Sequence, residues 1–330
     1  MSNTHPYDAL TPDVVLDAVE AAGFEVNGRQ FALNSYENRV YQVGVEDRAP
    51  VVVKFYRPER WSLAQIQEEH QFCADLLDAE IPVVAPLPLA DNSTLGEHAG
   101  FRFAVFDCRG GQAPDVSQAD TLYRIGQWLG QMHAVGERQP FKVRPRVVPL
   151  EDLLTAREAL LSGDWIPTDL RTSWNALVED LIRGIEERLR HAPPLDQVRL
   201  HGDCHAGNIL MRDEQILFVD FDDARQGPAI QDLWLLLSGD TLEQRDQLAE
   251  LVEGYEQFRD FERRATLLIE PLRTSRLICH SAWLARRWDD PAFPRHFPWF
   301  VQPRYWGDQI LSLREQLSAL REPPLSLPGA

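Results

Sequence analysis

Apolar and polar positions change their spacing once along the chain. As far as about residue 106, short apolar runs of strand length dominate; beyond residue 111 apolar residues recur mostly at helical spacing. Thr11-Pro12-Asp13 predicts a helix to about Ala22, with Val15, Leu16 and Val19 on one face and Gly23 as its stop. Phe31 to Leu33, Arg39 to Val45 and Pro50 to Tyr56 read as strands joined by polar turns. Trp61 to Ala79 carries a helical apolar stripe of Leu63, Ile66, Phe72, Cys73, Leu76 and Leu77. The proline-punctuated Ile81 to Pro88 is extended, and Thr94-Leu95 and Phe101 to Phe106 continue the sheet.

Asp107-Cys108-Arg109-Gly110-Gly111 joins the two patterns, which divides the chain into an N-lobe, residues 1–107, and a C-lobe, residues 108–330. The second region predicts helices at Asp120 to Val135, Leu150 to Leu161, Thr172 to Arg190, Ile230 to Leu237, Leu242 to Phe258, Phe261 to Arg287 and Gly307 to Leu320. One hairpin interrupts them: Asn208 to Met211 and Gln215 to Val219 flank the polar turn Arg212-Asp213-Glu214. The aromatic segment Pro291 to Trp306 either lines a cleft or is a loop pinned over the helices, and Glu322 to Ala330, rich in Pro, reads as disordered.

With 330 residues and 44% hydrophobic content the chain supports two lobes with sizeable cores. The start, Met1 to Pro6, lacks a basic segment followed by an apolar one, and no apolar run approaches the ~20 residues a membrane span needs, so a cytoplasmic protein is expected. A formal net charge of −18 disfavours nucleic acid and anionic membranes as partners, and a monomer is expected. Cys73, Cys108, Cys204 and Cys279 form no CxxC pair and read as reduced thiols.

The candidate chemistry sits at the hairpin, in His201-Gly202-Asp203-Cys204-His205-Ala206-Gly207-Asn208 and at Asp220 on its exit. Phosphoryl transfer from ATP needs a carboxylate to orient and deprotonate the attacking hydroxyl and oxygen ligands to hold Mg²⁺ on the phosphates. Asp203 fits the first role; Asn208 and Asp220 fit the second. A zinc site from His201, Asp203, Cys204 and His205 is the alternative, but no second Cys or His cluster completes it. Cys204 adjoins the proposed base, so it is either a packed thiol or an oxidation-sensitive one. Asp232 either braces the loop backbone or simply favours a helix N-terminus.

Lys54 lies in Val51-Val52-Val53-Lys54-Phe55, and with Lys142 it is one of only two lysines among 33 basic residues. A strand lysine of this kind contacts the ATP phosphates and pairs with a Glu of the next helix. Glu69, with apolar residues at +3, +4 and +7, is preferred to Glu68. Between the first two strands, Asn34 to Arg39 lacks the glycines of a phosphate loop, so Ser35 either donates to phosphate or is a plain turn serine. The backbone from Phe106 to Cys108 would face adenine. Together these features predict an α+β, bilobal, protein-kinase-like fold: a small antiparallel N-lobe sheet and a larger, mostly helical C-lobe.

The His-Gly-Asp form of the loop resembles the aminoglycoside phosphotransferase and choline kinase branch of that superfamily. Ser35 to Tyr41, Val53-Lys54-Phe55-Tyr56-Arg57-Pro58-Glu59-Arg60-Trp61, His201 to Leu210 and Val219 to Arg225 resemble the bacterial stress response kinase A family more specifically. The resemblance implies a cytoplasmic, Mg²⁺-dependent kinase of protein Ser and Thr residues, possible self-phosphorylation included, that acts under envelope and oxidative stress. It also implies that Asp203 accepts the proton, Asn208 and Asp220 hold magnesium, and Ser35 touches ATP. A kinase of small alcohols would share every ATP-side residue, whereas a non-catalytic binding module would lack one of Lys54, Asp203, Asn208 or Asp220.

Overall fold

The computed structural model describes residues 5–327. Helix α1 (Pro12–Ala21) starts at Thr11, whose hydroxyl accepts from the Val14 amide, with Pro12 in the first turn. Strands β1 (Val26–Ala32), β2 (Arg39–Val45) and β3 (Val51–Phe55) follow, then helix α2 (Leu63–Asp78), β4 (Gly96–His98) and β5 (Phe101–Asp107). All pairings are antiparallel, in the order β1-β2-β3-β5-β4. Strand period two sorts the faces: Val43, Val51, Val53, Phe55, Phe101, Phe103 and Val105 are buried with Val15, Ala18 and Val19 of α1. The opposite face carries Val40, Gln42, Val52, Lys54, Ala104 and Phe106 in register across three strands. β1 begins five residues before the predicted Phe31, because an edge strand can keep Asn27, Gly28 and Arg29 in water and shows no alternation.

The C-lobe contains α3 (Ala119–Glu137), α4 (Pro149–Ser162), α5 (Thr168–His191), β6 (Val198–Leu200), β7 (Ile209–Arg212), β8 (Gln215–Phe218), β9 (Arg225–Gly227), α6 (Ile230–Trp234), α7 (Thr241–Tyr255), α8 (Ile269–Arg286), α9 (Ala292–His296) and α10 (Pro303–Ala319). β7 and β8 form the expected hairpin. The β6–β9 pair that flanks it was not predicted; three residues per strand are too few to show a period. The single helix expected over Phe261 to Arg287 is a 3₁₀ turn at Arg263–Leu268 followed by α8.

Two cores hold this lobe. One joins Leu129 and Met132 of α3, Leu251 and Tyr255 of α7 and Ile209 and Phe218 of the hairpin, and it also takes Phe72, Cys73 and Leu76 of α2. The helix that follows β3 is therefore rooted in the C-lobe. The other core joins α4, α5, α8 and α10 around Trp174, Leu181, Ile278, Phe293, Phe300 and Trp306. Full burial of the last three packs much of the aromatic segment over the helices, while Trp299 is exposed and Phe297 packs edge-on against Tyr36. The tail reading changes in part: Leu327 is buried against the first core, while residues 328–330 lie outside the described residues. Among the described residues no helix is long and apolar enough to cross a membrane.

Candidate active site

The catalytic loop leaves β6 at Leu200, and a buried carboxylate fixes its path. Asp232 of α6 accepts from the His201 amide at Oδ2 and from the Gly202 amide at Oδ1, both at 2.8 Å, and His133 Nε2 lies 3.1 Å from Oδ2. Gln231 Nε2 donates to the Gly202 carbonyl at 3.0 Å. Gly202 has φ +86°, and a side chain there would run into the Asp223 carbonyl, so this turn requires glycine. Asp232 thus braces the loop.

Asp203 emerges from this support toward the cleft. Its Oδ1 accepts from Arg276 of α8 at 2.8 Å, and His205 Nε2 is 3.5 Å from Oδ2. Burial pushes the carboxyl up, but His205 and Arg276 outweigh it and hold the group well below the usual carboxylate range. Asn208 Nδ2 donates to the Asp203 carbonyl at 3.0 Å, which turns its Oδ1 away as a free acceptor.

β7 and β8 deliver Asp220 in the left-handed region, φ 63° and ψ 68°, with its side chain 55% exposed. A non-glycine residue there is uncommon and costs strain, and functional sites are where such strain is kept. Lys54 Nζ lies 3.0 Å from Glu69 Oε1, 3.6 Å from Asp222 and 3.7 Å from Asp220, with the Tyr56 and Phe106 rings 4.7 and 5.5 Å away. Burial alone would favour neutral Lys54, but Glu69 and its neighbours raise its pKa well above the ordinary value and keep it charged. Glu68 turns elsewhere and accepts the Lys142, Val143 and Arg144 amides at 2.7, 3.0 and 2.9 Å.

The donor set suits a hard cation. Asn208 Oδ1 and the open carboxylate of Asp220 would offer oxygen ligands, and Mg²⁺ usually takes only one or two protein side chains besides phosphate and water. The described residues contain no cluster of three or more His, Cys, Asp or Glu able to hold a metal. The zinc arrangement is not formed: Cys204 is fully buried in the apolar core, and His201 Nε2 lies 2.9 Å from the Val219 carbonyl. Burial also pushes the Cys204 thiol well up, which disfavours the reactive thiolate and favours the packed-thiol reading.

Over the cleft, Ser35 Oγ donates to the Asn38 carbonyl at 3.1 Å, a local turn bond. Phe106 stands opposite Val52 in the sheet and bridges to Pro86, and Cys108 is the first residue beyond β5. Leu33, Val40, Val52 and Phe106 share one face of the sheet as an apolar roof, and Leu210 lies against Gly111. Sequence reasoning missed a set of ion pairs that clasps the two lobes. Glu37 accepts from Trp283 Nε1 at 2.5 Å and Arg287 Nε at 2.9 Å; Asp290 pairs with Arg39 at 2.8 Å and Arg57 at 2.6 Å; Arg60 pairs with Asp222 and, at 2.9 Å, with Asp223. The only signal was the run from Phe55 to Trp61, where Arg57 and Arg60 stand one turn apart.

A braced loop thus carries Asp203 and Asn208, Asp220 stands at a hairpin exit, and Lys54 of β3 pairs with Glu69 of α2. The model of the phosphotransferase enzyme family matches residues 29–267. Stress response kinase A of Escherichia coli K12 is 46% identical over 321 residues, covering 97% of each chain. Serine/threonine protein kinase RdoA of Salmonella typhimurium LT2 is 45% identical over 325 residues, 98% of each. Among solved structures, an amicoumacin kinase in complex with AMP-PNP and Ca²⁺ superposes with TM-score 0.76 at 18% identity, covering 97% of this chain and 95% of its own. A microcompartment-associated aminopropanol kinase gives 0.70 at 17%, covering 94% and 98%. Those two likenesses establish the bilobal fold, and the near full-length identities go further: the chain belongs to the phosphotransferase enzyme family and, within it, to the stress response kinase A family.

Proposed function

We propose that the chain is an ATP- and Mg²⁺-dependent kinase of Ser and Thr hydroxyls in proteins, its own included, acting as a cytoplasmic monomer under envelope and oxidative stress. The observation that carries the phosphotransferase reading is the convergence of Lys54, Glu69 and Asp220 within 3.7 Å, beside the loop that bears Asp203 and Asn208. In this reading Asp203 orients the acceptor hydroxyl and takes its proton. Lys54, steadied by Glu69, meets the α and β phosphates, and Ser35, on the nucleotide loop, touches ATP. The Phe106 to Cys108 backbone and the apolar roof take adenine. Asn208 and Asp220 would hold Mg²⁺, which would neutralise phosphate charge there.

Asp220→Ala is expected to weaken Mg²⁺-dependent ATP binding, with a smaller effect for Asn208→Ala, because it removes the anionic oxygen from the site. Calorimetry with and without magnesium tests this; equal affinities for wild type and Asp220→Ala would remove Asp220 from the metal site.

Support for a protein acceptor comes from the name of the Salmonella relative. The test is labelled ATP with casein, then with kanamycin and with choline. Labelled phosphoserine or phosphothreonine on casein or on the enzyme supports the reading. Label confined to kanamycin or choline moves the acceptor to the small-molecule class and leaves the ATP-side roles intact.

A further inference from the structure

Helix α8 is anchored in the second core by Ile278 and Ala282 and presents Arg276, His280 and Trp283 along one face, with Arg287 just past its end. The two ends of that face hold the two halves of the site. Arg276 donates to Asp203 Oδ1 at 2.8 Å, and Trp283 and Arg287 hold Glu37 of the nucleotide loop at 2.5 and 2.9 Å. The loop from Asp203 to Asn208 has no Lys or Arg of its own, so beside His205 the guanidinium on its carboxylate comes from α8.

The Arg276 side chain is 48% exposed and that of Asp203 24%. An ion pair this open contributes little to stability, so packing does not account for it. What it does fix is rotation about the last bond of Asp203. With Oδ1 held by Arg276, Oδ2 has only the long 3.5 Å contact to His205 and stays available to a hydroxyl.

We propose that Arg276 is a positioning residue for phosphoryl transfer: it fixes the Asp203 carboxylate in its productive orientation. Held at its other end to Glu37, α8 sets base and nucleotide loop at one spacing. The inference rests on the reading of Asp203 as the base, and misplacing a reacting group by about 1 Å costs on the order of 10²-fold.

The test uses the full chain and whichever of casein, kanamycin or choline takes label. Arg276→Ala should lower kcat about 10- to 100-fold, with KM for ATP within about twofold and the thermal midpoint within about 2 °C. Arg276→Lys, which keeps a cation and a donor, should recover most of the rate. Because Arg276 acts through Asp203, adding Arg276→Ala to Asp203→Asn should change the rate by less than about twofold. A wild-type kcat in Arg276→Ala, a rise in KM for ATP alone, or a further full loss in the double variant overturns the inference. If Asp203→Asn itself turns over normally, the base assignment fails and the inference with it. A slow Asp203→Asn beside a fast Arg276→Ala removes only the positioning role.

Discussion

Asp203→Asn is expected to lower phosphoryl transfer by roughly 10²–10⁴, the range for a positioned general base, while ATP affinity stays within a few-fold of wild type. Asn has the same shape, and its carbonyl oxygen still accepts from Arg276 at the position held by Oδ1. The bonds that fix the loop involve the His201 and Gly202 amides and the Asp203 carbonyl, and the substitution touches none of them. What disappears is the proton acceptor. Lys54, Asn208 and Asp220, the groups assigned to the nucleotide and its metal, keep their places. Single-turnover rates and nucleotide titration on the purified variant separate the two effects, and near wild-type turnover would mean that another group takes the proton.

The residues that sequence reasoning located lie close together along the chain. Asp203, Asn208 and Asp220 sit on one loop and one hairpin, whose apolar–polar–apolar pattern is readable without tertiary contacts. Lys54 was legible because a charged residue inside an apolar strand run needs a partner, and Glu69 followed from the stripe on α2. The clasp was not legible. Arg39 and Asp290 are 251 residues apart and Arg57 and Asp290 are 233, so no local period links them. Arg276 was lost in the same way, as one polar position on a helix read only for its buried face. Asp232 stood between, since an acid near a helix start has a local explanation that needs no loop at all. The run from Phe55 to Trp61 marked the family without showing why; its arginines bind the N-lobe to Asp222, Asp223 and Asp290 and also hold Glu37.

Asp232→Ala is expected to cost about 3–5 kcal/mol of stability, because it strands two buried backbone N–H groups and removes a carboxylate from a fully buried pair with His133. In a chain of 330 residues each kcal/mol lowers the melting midpoint by about 1.5 °C, so a fall of roughly 4–7 °C should result. Asp232→Asn should help little. Its carbonyl oxygen can accept one of the two amides, but its NH₂ then points its hydrogens at the other donor, since Oδ1 and Oδ2 accept from Gly202 and His201 separately. Activity should fall further than the folded fraction alone explains. Gly202 is held in a left-handed turn against Asp223, and without the brace the adjacent Asp203 loses its fixed origin. Urea and thermal unfolding of both variants, with turnover measured well below their midpoints, check this. An Asn variant that melts with wild type would show that one amide bond suffices and that the second oxygen of Asp232 is not needed to hold the loop.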